Sequence, residues 1–381
     1  MSGTAATPAL SEAGYQRLHL SPAHYFDGDI FDRERDRIFF REWCFAGHIS
    51  ELAEPGDFIV CDLLDQSVVL TRGRDGRLRG FHNVCQHRGN RLVAERSGRG
   101  KRSFTCGYHC WSYDEAGRLR HAPRQEQVGA FDRSRYDIPP VQVEEVGGFV
   151  FFNLDPEASP LAKRMDGFEA ELRRLLPDVD RLQPTHACET TIAANWKIVM
   201  DNNIEAYHLQ FSGPEHRALA NAIELDAFEF TPMGSWWRYT APAAQTAQSA
   251  YGAPVSEAAR ERYPTFVNLT AWPFTTFFRL PFSAYVGAFV ILPLGPEESL
   301  LRVAFYRDDG EDTALDQASV VWIADQLGPE DVGLNVSTQQ GLRSHGFRGG
   351  RYMIDPATGP LSEHLVQAFH ANVLAALNEG D

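Results

Sequence analysis

Short apolar runs separated by turn-forming residues dominate the chain between residues 45 and 155. The runs at 57–61 and 67–71 have the length and β-branched content of strands, and an Arg-Asp-Gly turn follows at 74–76. A closing strand is predicted at 147–154, where aromatic and aliphatic residues follow two glycines. This pattern predicts a compact all-β module.

The rest of the chain has a mixed pattern. Residues 1–20 are predicted to form a tail, and 23–43 a helix with an approach segment. A further helix is predicted at 162–176, and the Ala/Gln-rich stretch 241–254 is predicted to be a loop. Other predicted strands lie at 187–193, 236–240, 285–292 and 301–305, and other predicted helices begin at Trp196 and span 313–327 and 361–377.

Composition limits the class of protein. A chain of 381 residues with 43% hydrophobic and 23% charged residues is long enough for two domains with substantial cores. The net charge of −15 argues against nucleic acid and anionic membrane surfaces as partners. Six scattered cysteines form no disulfide-framework pattern, and we find neither a leader-like N-terminus nor a run of transmembrane length. We therefore expect a soluble cytoplasmic protein.

Two mixed clusters of metal-ligand residue types stand eighteen residues apart. Cys85 and His87 form the first, and Cys106 and His109 form the second. Two thiolates and two imidazoles are the ligands of a Rieske [2Fe–2S] centre, in which each iron takes one pair. The same residue types also suit a structural zinc site, although zinc fingers usually group Cys with Cys and His with His. The mixed grouping favours the Rieske interpretation.

A second candidate site lies in residues 195–208. On one continuous helix, Asp201, Glu205 and His208 would share a face through i,i+4 and i,i+3 spacing. Two carboxylates and an imidazole suit a metal and its hydrogen-bonding neighbours, whereas a solvated polar face is the alternative. Apolar neighbours such as Trp196 and Ile204 indicate that part of this helix is buried, where unpaired carboxylates are unfavourable.

The flanking sequences resemble those of Rieske non-haem iron oxygenases, and the likeness covers nearly the whole chain. Residues 83–89 (NVCQHRG), 106–109 (CGYH) and 111–114 (WSYD) resemble the cluster-binding loops of that family. The segment 195–208 resembles the Asn-Trp-Lys…Asn…Glu…Tyr-His signature of its catalytic domain. One departure is Cys110, where the family usually has Gly; it is either a small buried residue, which we expect, or an extra thiol close to the cluster.

The resemblance implies an α+β fold. It comprises an all-β Rieske domain and a helix-grip catalytic domain, in which an antiparallel sheet packs on a long C-terminal helix. The predicted boundaries are 1–44 for a tail and helix packing on the catalytic domain, 45–155 for the Rieske domain and 156–381 for the catalytic iron domain.

The resemblance also implies roles for individual residues. Cys85, His87, Cys106 and His109 would bind the cluster, and His208 would bind a mononuclear Fe(II). Glu205 would bridge His109 and His208, usually between neighbouring subunits of a homotrimer, and Asn202 would lie near the iron. Asp331 resembles the family's carboxylate ligand because Glu330-Asp331 is followed by a Gln-x-Gly-x-x-Ser-like stretch at 339–344. Its alternative is a surface acid at a helix end.

The second histidine ligand departs from the family pattern. The family usually has four or five residues between its two histidines, whereas Gly213 lies five residues after His208. Either a longer loop brings His216 to the metal, or Gly213 replaces the ligand and leaves a coordination position vacant. Gly213 and Pro214 break the helix, so helical phase does not forbid His216, which we favour.

The implied activity is oxygenation of a small substrate with O2. Electrons would come from NAD(P)H through a ferredoxin or flavin reductase, enter at the cluster and pass through His109 and Glu205 to the iron. The layout most resembles the homotrimeric branch that oxidises glycine betaine, stachydrine or carnitine by hydroxylation or N-demethylation. The alternatives are ring or O-methyl hydroxylation of an aromatic substrate, and a Rieske electron carrier without oxygenase activity.

Substrate choice depends on the catalytic domain. We predict an aromatic cage for an ammonium group, to which about two of ten clustered aromatic residues contribute, and Arg279 as a partner for a substrate carboxylate. The ten aromatic residues are Trp236, Trp237, Tyr239, Phe266, Trp272, Phe274, Phe277, Phe278, Phe282 and Tyr285.

Overall fold

The computed structural model describes residues 19–245, 248–308, 310–354 and 362–378. The chain divides into two compact units after Ile38 and after Pro184, so that the N-terminal segment belongs with the C-terminal unit. Most of the predicted tail and residues 246–247 of the predicted loop lie outside the described residues. The domain boundaries at 44 and 155 stay predictions, since this division falls at other positions.

The N-terminal segment begins with a 3-10 turn at Pro22–Tyr25, followed by helix α1 (Gly28–Glu34). Asp27 caps α1, because its carboxylate accepts hydrogen bonds from the backbone N–H groups of Asp29 and Ile30. A π-helical turn at Arg35–Phe39 completes the segment. This agrees with the helix predicted at 23–43.

The unit from residue 39 to residue 184 is built mainly of β-strands. A seven-stranded sheet has the order β1-β10-β9-β4-β3-β2-β5, and a three-stranded sheet has the order β6-β7-β8. The strands are β1 (Cys44–His48), β2 (Phe58–Leu63), β3 (Gln66–Arg72), β4 (Leu78–His82), β5 (Ser97–Gly98), β6 (Phe104–Thr105), β7 (Ser112–Tyr113), β8 (Leu119–His121), β9 (Pro140–Val146) and β10 (Phe149–Asn153).

Helical segments complete this unit. Gly167, in the left-handed conformation, separates the two α-helices, so the predicted helix 162–176 is interrupted. The α-helices are α2 (Leu161–Arg164) and α3 (Phe168–Leu175), and 3-10 turns lie at Ile49–Leu52, Gln125–Gln127, Arg133–Tyr136 and Val179–Arg181.

The C-terminal unit contains a second seven-stranded sheet. Its strand order is β11-β17-β16-β15-β14-β13-β12, and neighbouring strands from β12 to β17 pair antiparallel. The strands are β11 (Gln183–Ile192), β12 (Glu229–Pro232), β13 (Trp236–Pro242), β14 (Thr265–Ala271), β15 (Thr275–Arg279), β16 (Val286–Gly295) and β17 (Glu298–Arg307).

Helices lie against this sheet. Phe369 of the last helix packs at ring-centroid distances of 5.5 to 6.1 Å against Trp196, Trp237 and Trp272. The helices are α4 (Trp196–Asn203), α5 (Pro214–Asn221), α6 (Glu257–Arg262), α7 (Ala314–Trp322), α8 (Gly328–Leu342) and α9 (His364–Asn378), with 3-10 turns at Tyr207–Gln210 and Leu225–Ala227 and a π-helical turn at Ile323–Leu327. Among the described residues, no helix is long and apolar enough to span a membrane.

A buried ion pair joins the N-terminal segment to α4. The ammonium nitrogen of Lys197 lies 2.6 Å from Oε1 of Glu34, and the indole N–H of Trp196 donates to the other oxygen at 2.8 Å. Both charged side chains are inaccessible to solvent. The pair fixes α4, the helix that leads to the second candidate metal site.

Candidate metal sites and substrate cavity

The two Cys/His clusters lie on two loops of the β-rich unit, one after β4 and one between β6 and β7. The thiols of Cys85 and Cys106 are buried, whereas His87 is exposed and His109 is half-buried. The two imidazole rings lie 4.6 Å apart between centroids. The structure therefore brings all four predicted residues to one end of this unit.

Neighbouring groups contact the sulfur atoms of Cys85 and Cys106. The Tyr113 hydroxyl lies 3.4 Å from Sγ of Cys85, and the Tyr108 backbone N–H donates to Sγ of Cys106 at 3.5 Å. Burial opposes ionisation of Cys106, but the N–H groups of Tyr108 and His109, together with Cys85 and Asn90, outweigh it and lower the pKa of this thiol. Burial raises the pKa of the neighbouring Cys85 thiol. A pre-organised thiolate is the form that binds a metal.

The donor atoms fit a Rieske cluster. Nδ1 of His109 is buried and has no hydrogen-bond partner among the described residues. A buried ring nitrogen without a partner is unfavourable unless something else binds it, and an iron atom would do so. The Tyr108 ring stacks on His109 at 3.9 Å and restricts its orientation.

Our expectation for Cys110 was wrong. The residue is exposed, and its backbone adopts a φ of 59°. That left-handed conformation allows the Cys110 N–H to donate to the Cys106 carbonyl at 3.0 Å and turns the loop. Glycine adopts this conformation at the lowest cost, which explains why a glycine would suit the position. The side chain consequently points to solvent and not into the core.

The second candidate site is formed by three segments, of which two are neighbours in sequence and the third, α8, is more than 100 residues away. Suitable ligand atoms of His208, His216 and Asp331 all lie within 4.8 Å of one another. Oδ1 of Asp331 is 2.8 Å from Nε2 of His216 and 3.9 Å from Nε2 of His208. Two imidazoles and one carboxylate match the 2-His-1-carboxylate donor set of non-haem Fe(II) sites. Gly213 and Pro214 start α5, which returns His216 to the site.

The prediction of one continuous helix through this site was wrong. Helix α4 ends at Asn203, and His208 lies on the separate 3-10 turn Tyr207–Gln210. The hydroxyl of Thr276 donates to the Asn203 side chain at 2.7 Å, and that of Tyr239 donates to its carbonyl at 2.9 Å. These sheet hydroxyls anchor the helix end, where consecutive asparagines already disfavour helix.

Asp201 also does not share a face with the candidate ligands. Its carboxylate accepts from the Tyr25 hydroxyl at 3.1 Å and lies 2.9 Å from Nε2 of His370 on α9. The next residue, Asn202, lines the cavity described below, together with Glu205. Asp201 therefore contributes to the contact between α4, α9 and the N-terminal segment.

Two carboxylates each contact one candidate ligand histidine at its Nδ1 atom. Glu205 contacts Nδ1 of His208, and Glu330 lies 2.7 Å from Nδ1 of His216. In both rings Nε2 faces the carboxylate of Asp331. Burial opposes protonation of His216, but the carboxylates of Asp331 and Glu330 outweigh it and raise its pKa. This arrangement fixes which nitrogen faces a metal.

A cavity of about 310 Å³ adjoins these residues, within the size range of small-ligand sites. Its charged lining residues are Glu205 and Asp331 besides the two histidines, and no Lys or Arg lines its described wall. Its uncharged polar groups come from Cys188, Thr190, Asn202, Asn203, Asn268 and Asn335, its aromatic rings from Tyr239, Phe266, Phe278 and Phe289, and its aliphatic wall from residues such as Ile192, Val199, Leu209, Leu219, Ile291, Val303 and Ile323.

Three of the ten predicted aromatic residues line this cavity, namely Tyr239, Phe266 and Phe278. Several of the others lie elsewhere: Trp237 and Trp272, for example, pack around Phe369 of α9. Sequence reasoning missed Phe289, which stacks on Phe278 at 4.3 Å. The signal was present, because Phe289 lies in a strand predicted at 285–292.

The prediction for Arg279 was wrong. Its guanidinium lies 4.9 Å from the ring centroid of Tyr263, and it does not line the cavity. Successive side chains of a strand point to opposite faces of the sheet, so Phe278 faces the cavity and Arg279 faces away.

Glu330 and Asn335 were also missed as parts of this site. Both lie on α8 with Asp331, and Asn335 is one helical turn after Asp331. The signal for Glu330 was its place directly before a candidate ligand.

Two protein-family models match this chain. The model for the Rieske [2Fe-2S] domain matches residues 42–132, and the model for the ring hydroxylating alpha subunit (catalytic domain) matches residues 179–379. The chain belongs to the Rieske oxygenase family. The predicted fold class is confirmed, as are the [2Fe–2S] cluster and the mononuclear iron. These matches set aside both the zinc alternative and the electron-carrier alternative.

Similar monooxygenases from other organisms support this assignment. The carnitine monooxygenase oxygenase subunit of Escherichia coli (strain K12) is 34% identical over 368 residues, which cover 95% of each chain. The chloroplastic choline monooxygenase of Arabidopsis thaliana is 27% identical over 353 residues, covering 89% of this chain and 80% of that protein. This Rieske oxygenase is thus homologous to enzymes named for quaternary ammonium compounds.

A solved structure has the same fold over almost the full length. It is a quaternary ammonium Rieske monooxygenase described for carnitine oxidation and inter-subunit electron transfer. The TM-score is 0.86 at 30% identity, and the alignment covers 96% of both chains.

Proposed function

We propose that this Rieske oxygenase hydroxylates a small quaternary ammonium compound. The observation that carries the proposal is the cavity, which combines four aromatic rings with the carboxylates of Glu205 and Asp331. A cation over an aromatic face gains about 0.5 to 2 kcal/mol, and more when it is desolvated. The relatives named for carnitine and choline support the same chemical class.

The end of the substrate opposite its ammonium group, here called the far end, is proposed to be uncharged. No Lys or Arg lines the described wall of the cavity, and Arg279 lies over Tyr263. A substrate carboxylate would therefore find no basic side chain on the described wall. Amide groups such as those of Asn202 and Asn268 suit a hydroxyl or carbonyl oxygen better. Choline, which ends in a hydroxyl group, represents this class.

His208, His216 and Asp331 are proposed to hold the mononuclear iron. When bound, iron of this kind supplies the activation of O2. Glu205 and Glu330 hold the two imidazoles by their Nδ1 atoms. The aliphatic cavity wall excludes bulk water, and the aromatic rings place the ammonium group with its methyl hydrogens towards the three ligands. Asn202 offers a hydrogen bond beside them.

The balanced reaction consumes one O2, two electrons and two protons. One oxygen atom is inserted into a substrate C–H bond, and the other leaves as water. Hydroxylation of an N-methyl carbon gives an unstable carbinolamine, which releases formaldehyde and the demethylated amine. Hydroxylation of another carbon leaves the hydroxyl group in place. NAD(P)H supplies the electrons through a separate reductase.

Cys85, His87, Cys106 and His109 are proposed to hold the cluster, and Glu205 to connect His109 of one subunit with His208 of the next. The related structure described for inter-subunit electron transfer supports this route, and a homotrimer would provide it. A ferredoxin or flavin reductase is the proposed electron donor. A cytoplasmic location is also proposed, because all six cysteines are free.

Substrate-dependent O2 consumption with a reductase tests the proposal. Choline should stimulate O2 uptake, whereas 3,3-dimethyl-1-butanol, its uncharged carbon isostere, should not. Glycine betaine carries a carboxylate where choline carries a hydroxymethyl group, so it tests the proposed uncharged far end. It should be a poorer substrate than choline. The second candidate function is oxidation of an aromatic compound, which the apolar wall of the cavity favours. O2 uptake with methoxy- or hydroxyarenes, and with no ammonium compound, would overturn the first proposal.

A further inference from the structure

Gly213, which stands where the family pattern has a histidine, makes room for another side chain. A Cβ atom built on Gly213 would lie 2.1 Å from the carboxylate carbon of Glu330. This approach is far closer than van der Waals contact allows, so any larger residue would displace the carboxylate. The backbone of Gly213 has φ −61° and ψ −180°, an extended conformation that every residue adopts. Space, and not backbone geometry, is what requires glycine here.

Glu330 uses that space to reach the start of α5. Its two oxygens lie 3.2 Å from the backbone N–H groups of Glu215 and His216, and one of them lies 2.7 Å from Nδ1 of His216. Gly213 has no side chain with which to cap α5, so Glu330 supplies the cap from α8. The same carboxylate thus anchors both the backbone and the imidazole of His216.

We propose that Glu330 is a positioning residue that fixes the His216 imidazole for the mononuclear metal, and that Gly213 is retained to admit it. Glu330 and Asp331 are adjacent on α8, and they contact opposite nitrogens of the same ring. With Nδ1 held by Glu330, the remaining nitrogen, Nε2, points to the carboxylate of Asp331. This inference rests on the proposed role of His216 as a metal ligand.

A competing explanation is that Glu330 only caps α5. The double variant Glu330→Ala/Gly213→Ser separates the two roles, because the introduced serine can cap its own helix once the Glu330 side chain is gone. That serine is uncharged, so a contact of its hydroxyl with Nδ1 of His216, like the 3.0 Å contact of Ser21 with Nδ1 of His24 in the same Ser-Pro-x-His order, would not replace the carboxylate of Glu330. A capping role predicts that this variant recovers both helix stability and wild-type metal affinity. A positioning role of the carboxylate predicts recovery of stability without wild-type metal affinity.

The experiment is an anaerobic Fe(II) titration of the cluster-loaded protein against a competing chelator, with thermal unfolding of each variant measured alongside. We expect Glu330→Ala to weaken Fe(II) binding roughly 10- to 100-fold, the range for partners of metal-bound histidines. Glu330→Ala/Gly213→Ser should unfold at the wild-type temperature yet bind Fe(II) more weakly than the wild type. The reduced-cluster EPR signal should be unchanged throughout.

A double-mutant cycle tests the role of Gly213. Gly213→Ala should weaken Fe(II) binding in the wild type but have no further effect in Glu330→Ala, where the overlapping carboxylate is absent. Wild-type affinity in Glu330→Ala, or in the variant that restores the cap, would overturn the positioning role. His216→Ala tests the ligand set separately from the role of Glu330. Wild-type Fe(II) affinity in that variant would show that His216 is not a metal ligand.

Discussion

Oδ1 of Asp331 lies 2.8 Å from Nε2 of His216, although the two residues are 115 positions apart in the sequence. Nε2 of His208 lies 3.9 Å from the same oxygen. Three donor atoms from three separate segments thus converge beside the cavity. Their convergence gives His216 a testable role as the second histidine ligand.

We predict that His216→Ala removes the mononuclear iron and leaves the cluster intact, because two protein ligands are too few to hold Fe(II) tightly. Iron analysis should then give only the two iron atoms of the cluster per chain. The cluster absorbance and reduced-state EPR signal should match the wild type. His345→Ala, which removes an exposed histidine, is the control and should retain both kinds of iron. Undiminished iron in His216→Ala would contradict the assignment.

Glu205→Gln should lower turnover by about 10- to 100-fold or more, because the neutral amide is a poorer partner for His208 and for the proposed partner His109. The carboxylate contacts Nδ1 of His208 in the structure. Stopped-flow absorbance should show normal reduction of the cluster by the reductase and slow reoxidation by O2 with substrate. Rapid reoxidation at the wild-type rate would show that Glu205 is not on the electron route.

Phe289→Leu should weaken substrate binding and raise KM by about 3- to 30-fold, which corresponds to a cation–π loss of about 0.6 to 2 kcal/mol. The ring lines the cavity and stacks on Phe278 at 4.3 Å. Phe289→Tyr retains an aromatic face and serves as the matched control. If leucine and tyrosine gave the same KM for choline, Phe289 would have no part in cation recognition.

His48 should make the protein less stable in acid. Burial lowers the pKa of His48 to about 4, below its ordinary value of 6.5, and its Nε2 donates to the Val179 carbonyl at 3.0 Å. The unfolded chain therefore binds more protons than the folded one between these two values. Stability should fall as pH decreases from 6.5 towards 4, by up to about 3 kcal/mol from this residue.

The variant His48→Gln tests this contribution, since glutamine can still donate to Val179 but does not titrate. Urea unfolding at several pH values should show a shallower loss of stability below pH 6.5 in the variant than in the wild type. Parallel pH profiles for the two proteins would contradict the prediction.

The ion pair between Glu34 and Lys197 should be important for stability. Glu34→Gln leaves a buried ammonium without its counter-charge, and loss of one partner of such a pair costs about 3 to 5 kcal/mol. Asp36→Asn, two residues further on, breaks an exposed pair with Arg35 and should cost less than about 1 kcal/mol. Urea unfolding of both variants measures the difference. Equal effects would show that the buried pair is not a major contributor.

Much of this fold could be predicted from the sequence because its signals are local. The strands at 57–61 and 67–71 and the final helix at 361–377 have clear apolar periodicity, and the structure contains β2, β3 and α9 at these positions. The ligand types at Cys85, His87, Cys106 and His109 are carried by two short motifs with fixed spacing. The loops that carry them come together at one end of a single unit.

The errors came from effects that local patterns do not contain. Helix α4 ends at Asn203 because Thr276 and Tyr239, far away in sequence, bind its last residue. Arg279 was assigned to the cavity by composition, although strand alternation places it on the opposite face. Cys110 is exposed because its backbone adopts a left-handed conformation that residue type alone did not indicate.

The central claim is that this oxygenase inserts oxygen into a quaternary ammonium compound with an uncharged far end. A single-turnover experiment with ¹⁸O2 tests it most directly, using protein reduced beforehand and freed of reductase. With choline, we predict ¹⁸O in the hydroxylated product or in formaldehyde that is trapped as it is released, before its oxygen exchanges with water, together with reoxidation of the cluster. The isosteric 3,3-dimethyl-1-butanol should give neither. No labelled product from any ammonium compound, with labelled product from an arene, would contradict the account.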